Sequence, residues 1–360
     1  MWARIARLLF AVGLPVFFLW LFFRSIDIHQ LRNAVAGVSW WGWSLLVIAA
    51  LVQIVHLVLR SARWRIMLRP MKPEIGFYNL FSTVSIGYLV TMLLPGRIGE
   101  VLRPVLLASR ERIGKSGALA TVLLERIIDG ICIVVLLAAY LIFFMEPMAG
   151  EAQVAAEGMA RSWGVLLGAL MVLALPVLWG LVHFRKKAAA VIEAVYPASK
   201  PGGVALRTIF HGIVDGFEVL KGGRALIGVW AYSIVIWVLI AFSIWFSLLA
   251  FEIRIPIAGS VLMLAALAFG IAIPTQGGVG TYEFFGQQAL VLFFGVDQTQ
   301  AGAAILVLHI FAISPTIILG LIFVWKEGLS FQGLKDQARS VKDNSPSGPD
   351  GTPRAAEIET

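Results

Sequence analysis

Two short segments of the chain place proline, glycine and ionisable residues inside otherwise apolar sequence. The first contains Pro-Gly-Arg-Ile-Gly-Glu at positions 95–100, and the second contains Gly-Gly-Val-Gly at positions 277–280. Proline and clustered glycine break helices, and irregular backbone within a membrane is tolerated only where it is buried in protein or lines a wet cavity. Ionisable side chains at such places are costly and indicate function. We therefore interpret both segments as broken helices that bind a polar group.

The residues assigned to these two breaks fall into two groups. Contact with the head group of a substrate is predicted for Arg97, Glu100, Arg103, Gly277, Gly278, Gly280 and Glu283. Ending the helices is predicted for Pro95, Gly96, Gly99 and Pro274. Both breaks thus combine a proline and clustered glycines with a glutamate that follows them, and this shared composition indicates a shared role.

A third group of ionisable residues lies near the start of the apolar run at 117–145. Glu125 and Asp129 are four residues apart and Arg126 is three before Asp129, so all three can share one side of a helix. They could form an ion pair that snorkels to the membrane interface, or they could bind a head group or a proton. Arginine suits phosphate because its planar fork donates two parallel hydrogen bonds. We include all three residues among the predicted substrate contacts.

The glycines of the second break also have two interpretations. They could allow tight packing or a kink, or their backbone N–H groups could point toward an anionic substrate. In the second case Glu283 lies on the first turn of the resumed helix, where a carboxylate also suits a cap. His56 and His309 lie within apolar spans and could relay protons. Because a single histidine more often makes one hydrogen bond to a neighbouring helix, neither is assigned to the site.

The composition places these segments in a polytopic all-α membrane protein. Hydrophobic residues make up 59% of the chain and charged residues 14%, whereas soluble domains carry about a quarter charged residues. The net charge is +8, and the basic residues collect in short loops between apolar runs, which is typical of cytoplasmic loops beside anionic lipid. Anionic lipid at the cytoplasmic face, and not nucleic acid, is therefore the expected partner. The single cysteine, Cys132, excludes an internal disulfide.

The apolar runs predict about six full transmembrane helices and two broken or re-entrant elements. The full helices are expected at 1–23, 40–59, 117–145, 163–184, 225–251 and 300–325. A basic segment after position 59 is interpreted as a cytoplasmic loop that contains Arg60, Arg63, Arg65, Arg69 and Lys72. Basic residues also follow 77–94, so this run should enter and turn back as a hairpin. The same rule places both termini in the cytoplasm and the protein in the cell membrane.

The order of elements predicts an inverted repeat. Residues 1–145 and 163–325 contain the same sequence of spans and one break each, with reversed orientation, as in many transporters whose sites lie where broken helices of two inverted halves meet. The connection at 185–224 is expected to be an amphipathic helix, either on the cytoplasmic membrane surface or packed on neighbouring loops. Residues 1–330 form the predicted integral membrane domain, and the polar residues 331–360 form a disordered cytoplasmic tail.

These motifs together resemble the flippase-like membrane domain of lysylphosphatidylglycerol synthases and its stand-alone relatives, over roughly residues 5–325. The resemblance rests on Pro95 to Arg103, on Glu125-Arg126-x-x-Asp129 and on Gly277-Gly278-Val279-Gly280-x-x-Glu283. It implies movement of a lipid between leaflets. The soluble domain that makes the lipid in two-domain synthases is not expected here. Gln276 departs from the pattern, because relatives commonly have proline before the glycine pair.

We therefore expect a protein that flips an amphipathic lipid or lipid-linked head group between leaflets, through a cavity lined by the two broken helices. The alternative is a membrane-embedded transferase with Glu100, Glu125 or Asp129 as base, or a scaffold partner of a lipid- or glycolipid-modifying enzyme. A transporter of a water-soluble compound is a third hypothesis. No nucleotide-binding, nucleophile-elbow or metal-ligand pattern is present, so no catalytic residue, cofactor or metal site is predicted.

Overall fold

The protein is helical throughout the described part of the chain, with no strand there. The computed structural model describes residues 2–24, 26–94, 97–144 and 223–330, together with 158, 162 and 333. The helices are α1 (Trp2–Phe23), α2 (Ile28–Ala36), α3 (Trp40–Leu68), α4 (Phe77–Leu93), α5 (Ile98–Glu111), α6 (Lys115–Phe143), α7 (Gly223–Ala250), α8 (Gly259–Ala272), α9 (Thr281–Phe294) and α10 (Gln298–Lys326). This confirms the predicted all-α class.

Four of these helices, α3, α6, α7 and α10, are long and apolar enough to cross a membrane. The last part of α1 and the whole of α2 form a sharply bent pair that would make a fifth span. The predicted span at 163–184 lies outside the described residues, as does the predicted amphipathic connection except for its last two residues, which begin α7. The predicted tail is described only at residue 333.

The helix α3 is longer than its apolar run predicts. The side chain of Ser39 caps its start by accepting a hydrogen bond from the Gly42 N–H, and the helix continues through Arg60 and Arg63 to Leu68. Arginine is a good helix former, so the basic residues extend the helix instead of ending it. The predicted loop starting at residue 60 is therefore wrong.

The helices α4 and α5 form an antiparallel hairpin, as predicted for the first break. Near its turn, a Cβ added to Gly99 would lie 2.0 Å from the Gly87 carbonyl oxygen, and further down Gly87 faces the Cβ of Arg103. Glycine at position 99 therefore lets the two backbones touch. We call residues 92–94 and 97 the first tip. Pro95 and Gly96, predicted to end the helix, lie outside the described residues, and Arg97 starts α5 with a left-handed φ of 53°.

The helices α8 and α9 form a second hairpin, as predicted for the second break. Gly270 of α8 packs against the backbone of Thr281, which begins α9. We call residues 271–280 the second tip. It contains Pro274, which directly follows the C-cap of α8 and has no N–H to continue the helix. Its glycines at 277, 278 and 280 all have positive φ, which a residue without Cβ adopts readily.

The long helices α3 and α7 pack against each other and run antiparallel. Gly42 at the start of α3 meets the carbonyl of Ala250 at the end of α7, and Arg63 near the end of α3 bonds to Ser233 of α7. Each long helix is followed by one hairpin and then by another long helix. The hairpins therefore start from opposite ends of the α3–α7 pair and point toward each other. This arrangement agrees with the predicted inversion of two halves.

The remaining contacts repeat across this inversion. The helix α10 packs against the first hairpin, where Gly320 touches Leu89 of α4. Its counterpart α6 packs against the second hairpin, where Leu141 and Leu262 share one apolar cluster. The helix α1 lies against the second tip, since a Cβ at Gly280 would come within 2.7 Å of the Pro15 carbonyl. Long helices therefore pack against both hairpins, and α1 packs against the second tip.

Candidate functional site

The first tip carries a partly exposed ion pair. The Nε of Arg97 lies 3.8 Å from a carboxylate oxygen of Glu100, and 36% and 28% of the two side chains are exposed. These residues are one helical turn apart at the start of α5, and Arg97 has a left-handed backbone. A non-glycine residue in this conformation costs about 1 kcal/mol or more. Strain at this point is consistent with a functional position.

The two tips touch each other. The Nη2 of Arg97 donates a hydrogen bond of 3.2 Å to the carbonyl oxygen of Ile271, at the start of the second tip. On the other side, a Cβ at Gly277 would lie 3.5 Å from both the carbonyl oxygen and the sulfur of Met92, at the end of α4. The structure thus brings together the two breaks, which lie about 180 residues apart in the sequence, near positions 95 and 275.

A buried cluster of ionisable side chains lies beside the first hairpin. We call it the arginine cluster, and it consists of Arg60 and Arg63 of α3, Arg103 of α5, and Glu125, Arg126 and Asp129 of α6. Glu125 is its centre: one carboxylate oxygen accepts from Arg60 at 2.7 Å and from Arg126 at 2.6 Å, and the other accepts from Arg103 at 2.7 Å. Three helices are therefore joined by one carboxylate.

Asp129 forms the second centre of the arginine cluster. It accepts a hydrogen bond of 2.7 Å from Arg63 and lies 3.1 Å from Arg60. The indole N–H of Trp237 on α7 also donates to it, at 3.2 Å, while the Ser233 hydroxyl of the same helix accepts from Arg63. The arginine cluster thus connects both halves of the protein across the α3–α7 pair.

Aromatic and polar side chains complete the surroundings of the arginine cluster. The guanidinium of Arg103 lies 4.5 Å from the centre of the Trp64 ring, a cation–π distance. His56 accepts a hydrogen bond of 2.6 Å from Arg60, and the Tyr88 hydroxyl accepts one of 3.2 Å from Arg126. Most of the cluster is buried, but 31% of the Arg126 side chain is exposed, so Arg126 is its accessible edge.

The charges of the arginine cluster do not balance. Four guanidinium groups face two carboxylates, which leaves a surplus of two positive charges. In addition, the buried Nε atoms of Arg63, Arg103 and Arg126 find no hydrogen-bond partner within the described ranges. Buried charges and donors cost free energy unless they are paired. The arrangement therefore favours an anionic group at this place.

The structure separates the predicted contacts of the first half into two places. Arg103, Glu125, Arg126 and Asp129 are brought together in the arginine cluster, as expected from their helical spacing. The tip pair of Arg97 and Glu100 makes no ion pair or hydrogen bond with that cluster in the described part of the chain. Gly99 serves the close packing of the hairpin. The direct contact of these residues with a substrate stays a prediction.

Arg60, Arg63 and His56 belong to the site although the sequence did not identify them. The two arginines were assigned to a cytoplasmic loop, and the histidine to a structural role. Their positions are spaced by four and then three residues, which puts all three on one side of a helix. This helical spacing could have identified the three residues from the sequence. The dense run of basic residues that continues after Arg63 suggested a cytoplasmic loop instead.

The second tip is held by a pair of side chains, Glu283 and His309. One carboxylate oxygen of Glu283 lies 2.6 Å from Nδ1 of His309, and the other accepts a hydrogen bond of 2.7 Å from the Gly280 N–H. The Nε2 of His309 lies 3.1 Å from the Gly277 carbonyl oxygen. The pair is buried, and the ring of Tyr282 stacks on His309. His309 was not assigned to the site from the sequence.

For Gly280, these contacts decide between the two interpretations of the glycine-rich break. The N–H of Gly280 is bound by Glu283, so the predicted cap is confirmed and this N–H is already used within the protein. Gly277 contributes its carbonyl to His309, and Gly278 contributes its carbonyl to the hydroxyl of Thr281. The predicted contact of these glycines with an anion stays a prediction.

Comparison with known proteins supports a membrane-protein family. The sequence model of the family described as "Lysylphosphatidylglycerol synthase TM region" matches residues 4–320. A UPF0104 membrane protein of Methanocaldococcus jannaschii, MJ1595, is 32% identical over 85 residues, which are 23% of this chain and 25% of that protein. The matched segment thus spans about a quarter of the length of this relative. No solved structure matches the chain.

Proposed function

Because the chain belongs to the family of the lysylphosphatidylglycerol synthase TM region, we propose that it moves an amphipathic lipid with an anionic head group between the leaflets of a bilayer. The observation that carries this proposal is the arginine cluster, with its surplus of two positive charges inside a helical membrane protein. A phosphate-bearing head group would offset part of that charge and could accept hydrogen bonds from the unpaired guanidinium donors.

The barrier to lipid movement explains why such a cluster would be useful. Carrying a phosphate through hydrocarbon requires stripping its water, which is expensive for an isolated charge. Guanidinium groups fixed in advance replace that water with charge-assisted hydrogen bonds. Arg126 is partly exposed and Arg103 lies beside it on the shared Glu125 carboxylate. The head group would therefore meet Arg126 first, while the acyl or prenyl chains stay in the bilayer.

The tips supply the proposed path. They meet through the hydrogen bond between Arg97 and Ile271 and where Gly277 lies beside Met92, and no ion pair joins them in the described part of the chain. Separation of the tips would cost about 1 kcal/mol for the hydrogen bond. We propose that the head group passes between the two tips when these contacts open, because the hairpins enter from opposite ends of the protein.

The orientation in the membrane is part of the proposal. Basic residues lie at the end of α3 and at the base of the first hairpin, far from the tip, and several are exposed: Arg65, Arg69, Arg112 and Lys115. By the positive-inside rule this end faces the cytoplasm and anionic lipid. The protein would then lie in the cell membrane with both termini on the cytoplasmic side.

The transferase alternative has less support from the geometry. Its candidate bases Glu125 and Asp129 are both bound by arginines, and Glu100 lies beside Arg97. These carboxylates are arranged to hold charge in place and not to accept a proton from a substrate. A lipid-modifying enzyme as a partner is compatible with the proposal, because such an enzyme would consume or supply the lipid on one leaflet.

Reconstitution of the purified full chain tests the function. Liposomes are prepared with a trace of phosphatidylglycerol that carries a fluorescent label. A membrane-impermeant reductant is then added, which quenches only the label on lipids in the outer leaflet. We expect the protected half of the fluorescence to decay in proteoliposomes and to remain in protein-free liposomes, with a slower decay for labelled phosphatidylcholine. Equal protection with and without protein for every anionic lipid tested would contradict lipid translocation.

A further inference from the structure

The hydrogen bonds of His309 fix how many protons it shares with Glu283. The Gly277 carbonyl oxygen can only accept, so Nε2 of His309 carries a proton and donates to it. The opposite ring nitrogen, Nδ1, lies 2.6 Å from a Glu283 carboxylate oxygen. Two lone pairs would repel at this distance, so a second proton lies between Nδ1 and Oε1. It belongs either to an imidazolium or to a carboxylic acid.

We propose that Glu283 and His309 form a proton-binding site that controls the second tip. The ligand is a single proton, held between Nδ1 and Oε1, and the responding element is the backbone from Gly277 to Gly280. The proton site itself rests on the contacts within the second hairpin and α10. Only its coupling to lipid movement rests on the proposed function.

Both changes of proton number disturb the tip. If the shared proton leaves, Nδ1 and Oε1 face each other as two acceptors, and the ring must rotate away from the Gly277 carbonyl. If one more proton is added, the Nδ1–H of the imidazolium still donates to Oε1, so the new proton must bind Oε2. That oxygen then becomes a hydroxyl, which is a poorer acceptor for the Gly280 N–H than a carboxylate oxygen, so the cap is weakened. The described tip therefore matches one protonation state.

The surroundings leave this pair as the titrating part of the tip. From α9, Tyr282 stacks on His309 with ring centres 4.1 Å apart and directs no charge at it. From the first tip, which touches Gly277 at Met92, Arg97 is bound to Ile271 and Glu100. No charged side chain of α2, α3, α4 or α7 forms an ion pair or hydrogen bond with Glu283 or His309 in the described ranges, and α8 and residues 12–23 of α1 contain no charged residue. Arginines also stay charged at all relevant pH values.

The proton site gives the two halves different chemistry. The first half provides fixed positive charge in the arginine cluster, which can hold an anion but does not respond to pH. The second half provides a group that can gain or lose a proton and whose backbone partners form the opposite tip. A proton bound or released at Glu283 and His309 would thus alter the contact between the tips without changing the charge of the arginine cluster.

Hydrogen–deuterium exchange on the purified full chain tests the proton site without any lipid assay. Exchange is measured over a series of pH values and corrected for intrinsic exchange rates. We expect protection of amides 276–283 to fall in a step of about tenfold where the pair gains or loses a proton, while α3 stays unchanged. The double variant Glu283→Gln/His309→Gln should lose the step. The exposed control His29→Gln should keep it. Absence of the step in the wild type, or its persistence in the double variant, overturns the proposal.

Two further comparisons keep folding and function apart from the proton site. Glu283→Gln alone can still accept from Gly280 and donate to His309, so its tip should remain protected near neutral pH and show that the fold tolerates substitution here. Measuring lipid movement in parallel separates the two proposals. A pH step at the tip without lipid movement supports the proton site and contradicts the function. Lipid movement with no such step supports the function and contradicts the proton site.

Discussion

Arg97 donates a hydrogen bond to the carbonyl of Ile271, and this contact connects the first tip to the helix that leads into the second. The guanidinium reaches across because Arg97 has a left-handed backbone, with a φ of 53° and a ψ of 33°. The two breaks are therefore parts of one site, and the residue that joins them is itself in a strained conformation.

Replacing Arg97 should separate backbone strain from side-chain chemistry. Arg97→Gly relieves the left-handed conformation, so we expect thermal stability to stay equal or to rise by about 1 kcal/mol. Because the same variant loses the guanidinium, we expect the rate of lipid translocation to change by about fivefold or more, which corresponds to the free energy of one hydrogen bond. The control Arg112→Gly replaces an exposed arginine that is also left-handed and lies at the base of the hairpin. It should match Arg97→Gly in stability and the wild type in translocation.

Gly99→Ala should disrupt the first hairpin. An added Cβ would lie 2.0 Å from the Gly87 carbonyl oxygen, which is backbone and cannot rotate away. We expect a loss of about 1–3 kcal/mol in the free energy of unfolding, measured by thermal or denaturant unfolding in detergent. Gly130→Ala is the matched control within α6, where nothing lies within 4 Å of the new Cβ. Equal stability of both variants would show that the two backbones do not pack as described.

Glu125→Gln should destabilise the protein strongly. The change removes the carboxylate that Arg60, Arg103 and Arg126 share and leaves their buried charges with Asp129 alone. Loss of one partner of a buried ion pair costs about 3–5 kcal/mol. Glu74→Gln, on an exposed loop residue, should be neutral. A neutral Glu125→Gln would indicate that water or an ion reaches the arginine cluster in the resting protein.

Arg126→Gln should affect lipid recognition more than stability. Its side chain is the accessible edge of the arginine cluster, and three other arginines keep both carboxylates paired. We expect about tenfold slower movement of labelled phosphatidylglycerol, in line with the strength of a charge-assisted hydrogen bond, and little change for phosphatidylcholine. If both lipids slow equally, Arg126 supports the fold and does not select the head group.

The sequence predicted the elements that depend on local pattern. Proline and glycine predicted a break in each half, and the basic residues on both flanks of 77–94 predicted that the first break is a hairpin. The spacing of Glu125, Arg126 and Asp129 predicted one charged helix face. The reversal of charged loops predicted the inversion that α3 and α7 display. Each of these signals is contained within a few turns of helix or in the order of the spans.

Contacts between distant elements could not be predicted in the same way. Glu283 and His309 are 26 residues apart on different helices, and no spacing rule connects them. Arg97 bonds to a backbone carbonyl of Ile271, which leaves no trace in residue type. Arg60 and Arg63 were misassigned because a run of basic residues is typical both of a cytoplasmic loop and of a helix end that pairs with buried carboxylates.

A reversible lock between the tips tests the central claim, that the head group passes where they meet. A Cβ at position 277 would lie 3.9 Å from the Met92 Cα, so the two Cα atoms lie within the distance of about 4.4–6.8 Å or less that a disulfide can bridge. The variant Met92→Cys/Gly277→Cys, with Cys132→Ala to remove the native thiol, is oxidised in proteoliposomes and then reduced. We predict that translocation of labelled phosphatidylglycerol stops in the oxidised protein and returns on reduction. Equal rates in the fully cross-linked and the reduced protein would contradict the account.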